Sequence, residues 1–181
     1  MLFRSPHPAG EEGQGRGNFC GMTKIAQLVN RYNPDLVDVT ICGSMAHQEK
    51  FAAVAQTLEA AGLRVRVPAI EEGVDWLSFT EDQVLAKKKD YMDRHFANIT
   101  RSRAILVCNY EKNNKPGYIG VNTLMEMTVA YVSGVPMYLL EKPGGGVNTK
   151  APEIAALGGI VLPDGDVAGL IDVLKQGEDH E

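Results

Sequence analysis

From Thr23 onward, short β-branched and apolar runs alternate with segments of helical periodicity, and this alternation restricts the fold more than any other feature. A chain that alternates in this way buries a parallel sheet between layers of helices, because each strand-to-strand return needs a crossover. The run RAILVCN at 103–109 is apolar almost throughout, as a central parallel strand covered on both faces must be. Four further runs read as strands: VDVTIC at 37–42, VRV at 65–67, PMYLL at 136–140 and a weak one at 159–162. Helical spacing is expected at 23–31, 46–61, 81–102, 122–133 and 166–175, with a short helix before the last strand. The reading is α/β: one flavodoxin-like three-layer domain, a five-stranded parallel sheet in order 2-1-3-4-5 with helices on both faces. In that order the first and third strands are neighbours, so the loops at 43–47 and 109–122 meet at the switch point where ligands bind.

Length and charge narrow the partners. One domain fits 181 residues, and a net charge of −5 offers no basic footprint for a nucleic-acid polymer. Cys20, Cys42 and Cys108 are odd in number and form no C-x-x-C, which reads as reduced thiols in a cytoplasmic protein with no disulfide framework and no zinc motif. No apolar run reaches the roughly 20 residues of a membrane helix. Residues 1–21 are Gly-rich and polar without a signal-peptide core, so they are expected to be a disordered leader before a domain at 22–181. There is no internal repeat.

Two segments carry candidate chemistry. In C-G-S-M-A-H at 42–47, Gly43 permits close backbone approach and Ser44 offers a hydroxyl beside an expected helix N-terminus, a place that attracts anions. The plainer reading is that Gly43 ends a strand and Ser44 caps the helix. In G-Y-I-G-V-N-T-L-M-E-M at 117–127, Gly117, Tyr118, Asn122 and Thr123 precede Glu126. A carboxylate at the crevice can act as a nucleophile on a glycosyl carbon, whereas Thr123-x-x-Glu126 equally matches a helix capping box. His95 and the lysines at 87–89 read as solvated residues, and His47 is close enough to the first loop to touch a phosphate. Trp76 is either a lid over the pocket or a plug at the core edge. The PGGG run lacks the ending of a phosphate-binding Walker loop and reads as a flexible connection.

The stretch ILVCNYEKNNKPGYIGVNTLMEMTVAYVSGVPMYLL, together with ICGSMAHQEKF, resembles the nucleoside 2-deoxyribosyltransferase-like proteins, with most similarity to the branch that hydrolyses deoxynucleoside 5′-monophosphates. The resemblance covers roughly Val37 to Leu140. It implies that Glu126 attacks C1′ of a deoxyribosyl group, that Gly43 and Ser44 hold sugar or phosphate, and that Asn109 and Asn122 bond the ligand from opposite sides. No metal or organic cofactor is implied, and a small nucleoside or nucleotide is the partner. The chain departs from the family where a supporting tyrosine is usual on the first strand: here the residues are Thr40, Ile41 and Cys42. The other reading of the same crevice is a non-catalytic module that binds or senses a nucleotide. The resemblance and the apolar residues Met125, Val129, Tyr131 and Val132 on one helix lead to the expectation of a homo-oligomer.

Overall fold

The computed structural model describes residues 23–32, 35–69, 73–146 and 151–176; the expected leader lies outside them. Strands β1 (Val37–Gly43), β2 (Val65–Arg66), β3 (Ser102–Cys108), β5 (Met137–Leu139) and β7 (Ile160–Val161) form one sheet in the order β2-β1-β3-β5-β7, and every pairing is parallel. Counted along this sheet alone the order is 2-1-3-4-5, the arrangement the alternation predicts. Strands β1 and β3 pair along their whole length, from Val37 opposite Ser102 to Gly43 opposite Cys108. Their carboxyl ends, and the loops that leave them, therefore lie side by side.

Side chains alternate between two cores because successive strand residues face opposite sides. Val39, Ile41, Ala104, Leu106 and Cys108 point to the layer formed by α2 (Gln48–Ala60) and α6 (Ala168–Gln176), where Phe51, Leu58, Leu170 and Leu174 are buried. Cys42, Ile105, Val107, Met137 and Leu139 point to the layer of α3 (Glu81–Thr100), α4 (Val121–Val132) and α5 (Ala151–Ala156). Helix α1 (Lys24–Tyr32) packs on α3. No helix among the described residues is long and apolar enough to cross a membrane.

Three local expectations change. Strand β1 does not run directly into an α-helix: Met45–His47 form a 3-10 turn and α2 begins at Gln48. The Ser44 side chain caps neither, so the plainer role for it fails. The second change concerns α4, whose N-cap is Gly120, so Thr123 and Glu126 stand at its third and sixth positions and form no capping box. The third is the PGGG run, which is not a free connection. Its Gly145–Gly146 form β6, paired in parallel with β4 (Tyr118–Ile119). That pairing depends on Gly117, which has φ +58 and so little room that a Cβ there would stand 2.1 Å from the Lys142 carbonyl oxygen.

Gly134, after α4, also has positive φ (+70) but nothing within 4 Å of where a Cβ would stand. The two positions separate conformation from contact. Gly134→Ala is expected to cost about 1 kcal/mol, and Gly117→Ala about 3 kcal/mol or more because the strain is joined by a backbone clash. Urea unfolding of both variants checks this; equal losses would mean that the loop at 117 yields freely.

Candidate functional site

Three elements deliver one polar side chain each to a common point beneath the switch-point crevice. Cys42, the penultimate residue of β1, faces the α3–α4 layer. On α3 the inward stripe runs His95, Phe96, Ile99, and on α4 it runs Thr123, Glu126, Met127, Ala130, each at the three- and four-residue spacing of one helix face. His95 is only 7% exposed and Glu126 8%. His95 Nε2 lies 3.6 Å from Glu126 Oε1 and 3.8 Å from Cys42 Sγ. Above them opens a cavity of about 800 Å³, whose lining includes Gly43, Ser44, His95, Tyr118, Thr123 and Glu126.

This volume suits a nucleoside-sized ligand. One wall is aromatic. Trp76, held by a short turn that Asp75 caps, meets Phe79 and Tyr91 edge-on and carries the Lys88 ammonium 4.6 Å above its ring. Trp76 thus lines the cavity rather than plugging the core. The facing wall is polar. Lys112 donates to Ser44 Oγ at 2.9 Å and lies 5.4 Å from the centre of the Tyr118 ring. Lys112 is placed by a tight turn in which Asn113 and Asn114 have φ +55 and +57, conformations asparagine tolerates better than most residues, closed by paired bonds between Lys112 and Lys115.

Burial governs the floor electrostatically. It pushes the Glu126 carboxyl up to about 8, against smaller opposing pulls from the Gly43 N–H and the Cys42 thiol. Burial also lowers His95 to about 4, so the imidazole is neutral at pH 7. The Cys42 thiol is driven well above its ordinary value by burial and then by the neighbouring Glu126. Glu126 Oε2 and His95 Nδ1 are buried without a hydrogen-bond partner.

Of the residues singled out in the sequence, Gly43, Ser44, Tyr118, Asn122, Thr123 and Glu126 line the cavity. Asn109 is not in the lining. Its amide donates to the Glu141 carbonyl at 2.7 Å and accepts from the Glu141 N–H at 2.9 Å, which leaves it 1% exposed as a brace. Gly117 likewise braces the loop, donating its N–H to Glu141 Oε2 at 2.8 Å. Gly43 is needed by packing as much as by any ligand, since a Cβ there would meet the Cys108 carbonyl oxygen at 2.9 Å and Phe51 Cζ at 3.0 Å. His47 packs its ring edge-on against Tyr110 and is not in the lining. The expectation of a solvated His95 is overturned; the spacing of His95 to Phe96 and Ile99 was the signal for it. In the lysine run at 87–89, Lys88 and Lys89 are exposed as expected of a solvated face; Lys88 also lines the cavity and Lys89 pairs with Asp93. Lys112 was legible only as one of several loop lysines. Comparison with protein-family models, with curated proteins and with solved structures finds no match.

A carboxyl raised from 4.5 to about 8 contributes stability that is fully present below the lower value and lost as pH rises through the higher. Wild type is therefore expected to lose stability between about pH 5 and pH 9, by up to about 5 kcal/mol. Glu126→Gln, measured beside it in EDTA, removes this dependence and is the more stable protein at pH 9. Parallel stability curves for the two proteins would mean that Glu126 ionises as an ordinary exposed carboxyl.

Proposed function

We propose that the protein cleaves the N-glycosidic bond of a nucleoside or nucleoside 5′-monophosphate, as a hydrolase or a deoxyribosyl transferase, with Glu126 as the nucleophile. The observation that carries this reading is the Glu126 carboxyl itself. It stands at the floor of a nucleoside-sized cavity with one oxygen unpartnered, and the capping role that would have explained it is absent. The resemblance read from the sequence supports the same residue.

In this chemistry the Glu126 carboxylate attacks C1′ and the C1′–N bond breaks. The base leaves with the bonding electrons and takes a proton from solvent. Water, or a second base, then attacks C1′ of the glycosyl ester and frees the carboxylate. The low polarity that raises the Glu126 pKa also makes the ionised form a strong nucleophile, because it is poorly solvated. The aromatic wall at Trp76 suits a stacked base, and Lys112 with Ser44 suits a 5′-phosphate. The anion site thus rests on a paired ammonium and hydroxyl rather than on a long helix dipole, since Ser44 is followed by a three-residue turn. Of the apolar residues expected on the free face of α4, Tyr131 and Val132 are more than half exposed and support a homo-oligomer built on that helix, whereas Val129 packs on the core and Met125 lines the cavity.

Incubation with a panel of deoxynucleosides and their monophosphates, read as free base, tests the reading. Glu126→Gln is expected to reduce release to background while the variant remains folded; binding without release in wild type would leave a sensing module instead. The free-enzyme kcat/KM should rise about tenfold per pH unit and level off above about 8, as a carboxylate that must be ionised requires. Lys112→Ala should raise KM for the monophosphate about tenfold to a hundredfold and leave the nucleoside nearly unchanged. An equal effect on both ligands would remove the phosphate from that wall.

A further inference from the structure

Among the described residues, one set of thiol, imidazole and carboxylate groups has its donor atoms all within 4.8 Å of one another: Cys42, His95 and Glu126. They are packed together with only weak bonds among them, the Cys42 thiol leaning toward both partners. The 3.6 Å between His95 Nε2 and Glu126 Oε1 is too long for a hydrogen bond, and the 3.8 Å to Cys42 Sγ is at best a weak contact. A fully buried thiol, an imidazole and a carboxyl, with Glu126 Oε2 lacking any partner, form an unusual core feature, because buried polar atoms are nearly always satisfied.

From this geometry we propose that the floor of the cavity is a binding site for a zinc-like divalent ion, held by Cys42 Sγ, His95 Nε2 and one Glu126 oxygen. Around tetrahedral zinc, with bonds near 2.3 Å to sulfur and about 2.0–2.1 Å to nitrogen and oxygen, donor atoms stand roughly 3.3–3.6 Å apart. The separations of 3.6 and 3.8 Å from His95 Nε2 need to close by only a few tenths of an ångström, and the sulfur and the carboxylate oxygen stand within 4.8 Å of each other. The mixed sulfur, nitrogen and oxygen set selects zinc or cobalt over magnesium or calcium, which prefer oxygen alone. Three protein ligands leave a fourth position. Since His95 and Glu126 both line the cavity, that position faces the ligand space. At neutral pH, binding converts the thiol to a thiolate and the Glu126 carboxyl to a carboxylate and releases both protons to solvent.

The site does not depend on the glycosidic reading, and its test uses no activity. Metal-free protein, prepared with a chelator and reducing agent, is titrated with Co²⁺ and then with Zn²⁺. One equivalent of Co²⁺ should bring a thiolate-to-cobalt charge-transfer band and the visible bands of a tetrahedral ion, both removed by one equivalent of Zn²⁺. Cys42→Ser should abolish the charge-transfer band. His95→Gln and Glu126→Gln should each weaken zinc binding at least about a hundredfold, since loss of a residue that merely orients a ligand already costs 10–100-fold. Circular dichroism checks that each variant is folded. Wild-type protein that gives no thiolate band, or binding that survives both Cys42→Ser and His95→Gln, overturns the proposal, whether or not the variants fold well. Where base release is also observed, bound zinc should suppress it and EDTA should restore it, because the metal occupies the oxygen that attacks C1′. Release insensitive to zinc at full occupancy would place the nucleophile elsewhere and leave the metal site standing.

Discussion

Everything at the site depends on the pairing of β1 with β3 along seven residues of each strand. The ladder brings Gly43 level with Cys108, so the loops after both strands share one crevice. Contact at this point leaves no space for a side chain on Gly43, whose position is filled by the Phe51 ring and the Cys108 carbonyl. Once the strands are aligned, the crossover helices α3 and α4 can only cover the β1–β3 seam from one side. Their inward stripes then bring His95 and Glu126 over Cys42. The crevice and its floor therefore follow from a single register.

That arrangement is costly. A thiol, an imidazole and a carboxyl are enclosed by Ile99, Ile105, Val107 and Met127, all of them fully buried. At neutral pH the fold keeps each of the three uncharged, and the main cause in every case is burial. Apolar side chains of similar volume would pack there more favourably. Groups kept at such expense are what a reactive or metal-binding centre requires, since poor solvation strengthens both a nucleophile and a metal ligand.

The sheet was legible because its evidence is local and periodic. A continuous apolar run such as RAILVCN has one economical fate, and the alternation around it leaves few topologies. Glu126 was legible for a similar reason, standing in a glycine-flanked motif at the end of the expected crevice. The remainder was hidden by distance along the chain. Cys42, His95 and Glu126 come from three separate elements, and no spacing between them matches a metal-binding motif. His95 was misplaced because its neighbours Asp93 and Arg94 are polar, although Phe96 and Ile99, one and four residues further on, point inward. Asn109 was assigned to the ligand because it ends the central strand. Only the fold shows that the Glu141 backbone already uses both ends of its amide.

The Asn109–Glu141 clasp has a thermodynamic side. Its two amide bonds, continued by the Glu141 carboxylate to the Gly117 N–H and by the β4–β6 ladder, fix the loop that carries Lys112 and Tyr118 before any ligand arrives. A ligand meeting that wall does not have to order it, and the freedom otherwise surrendered by a dozen loop residues on association has already been given up during folding. Affinity on this side of the cavity is thus set by contacts alone. A change that loosens the clasp would weaken binding through entropy, with every residue that touches the ligand still in place.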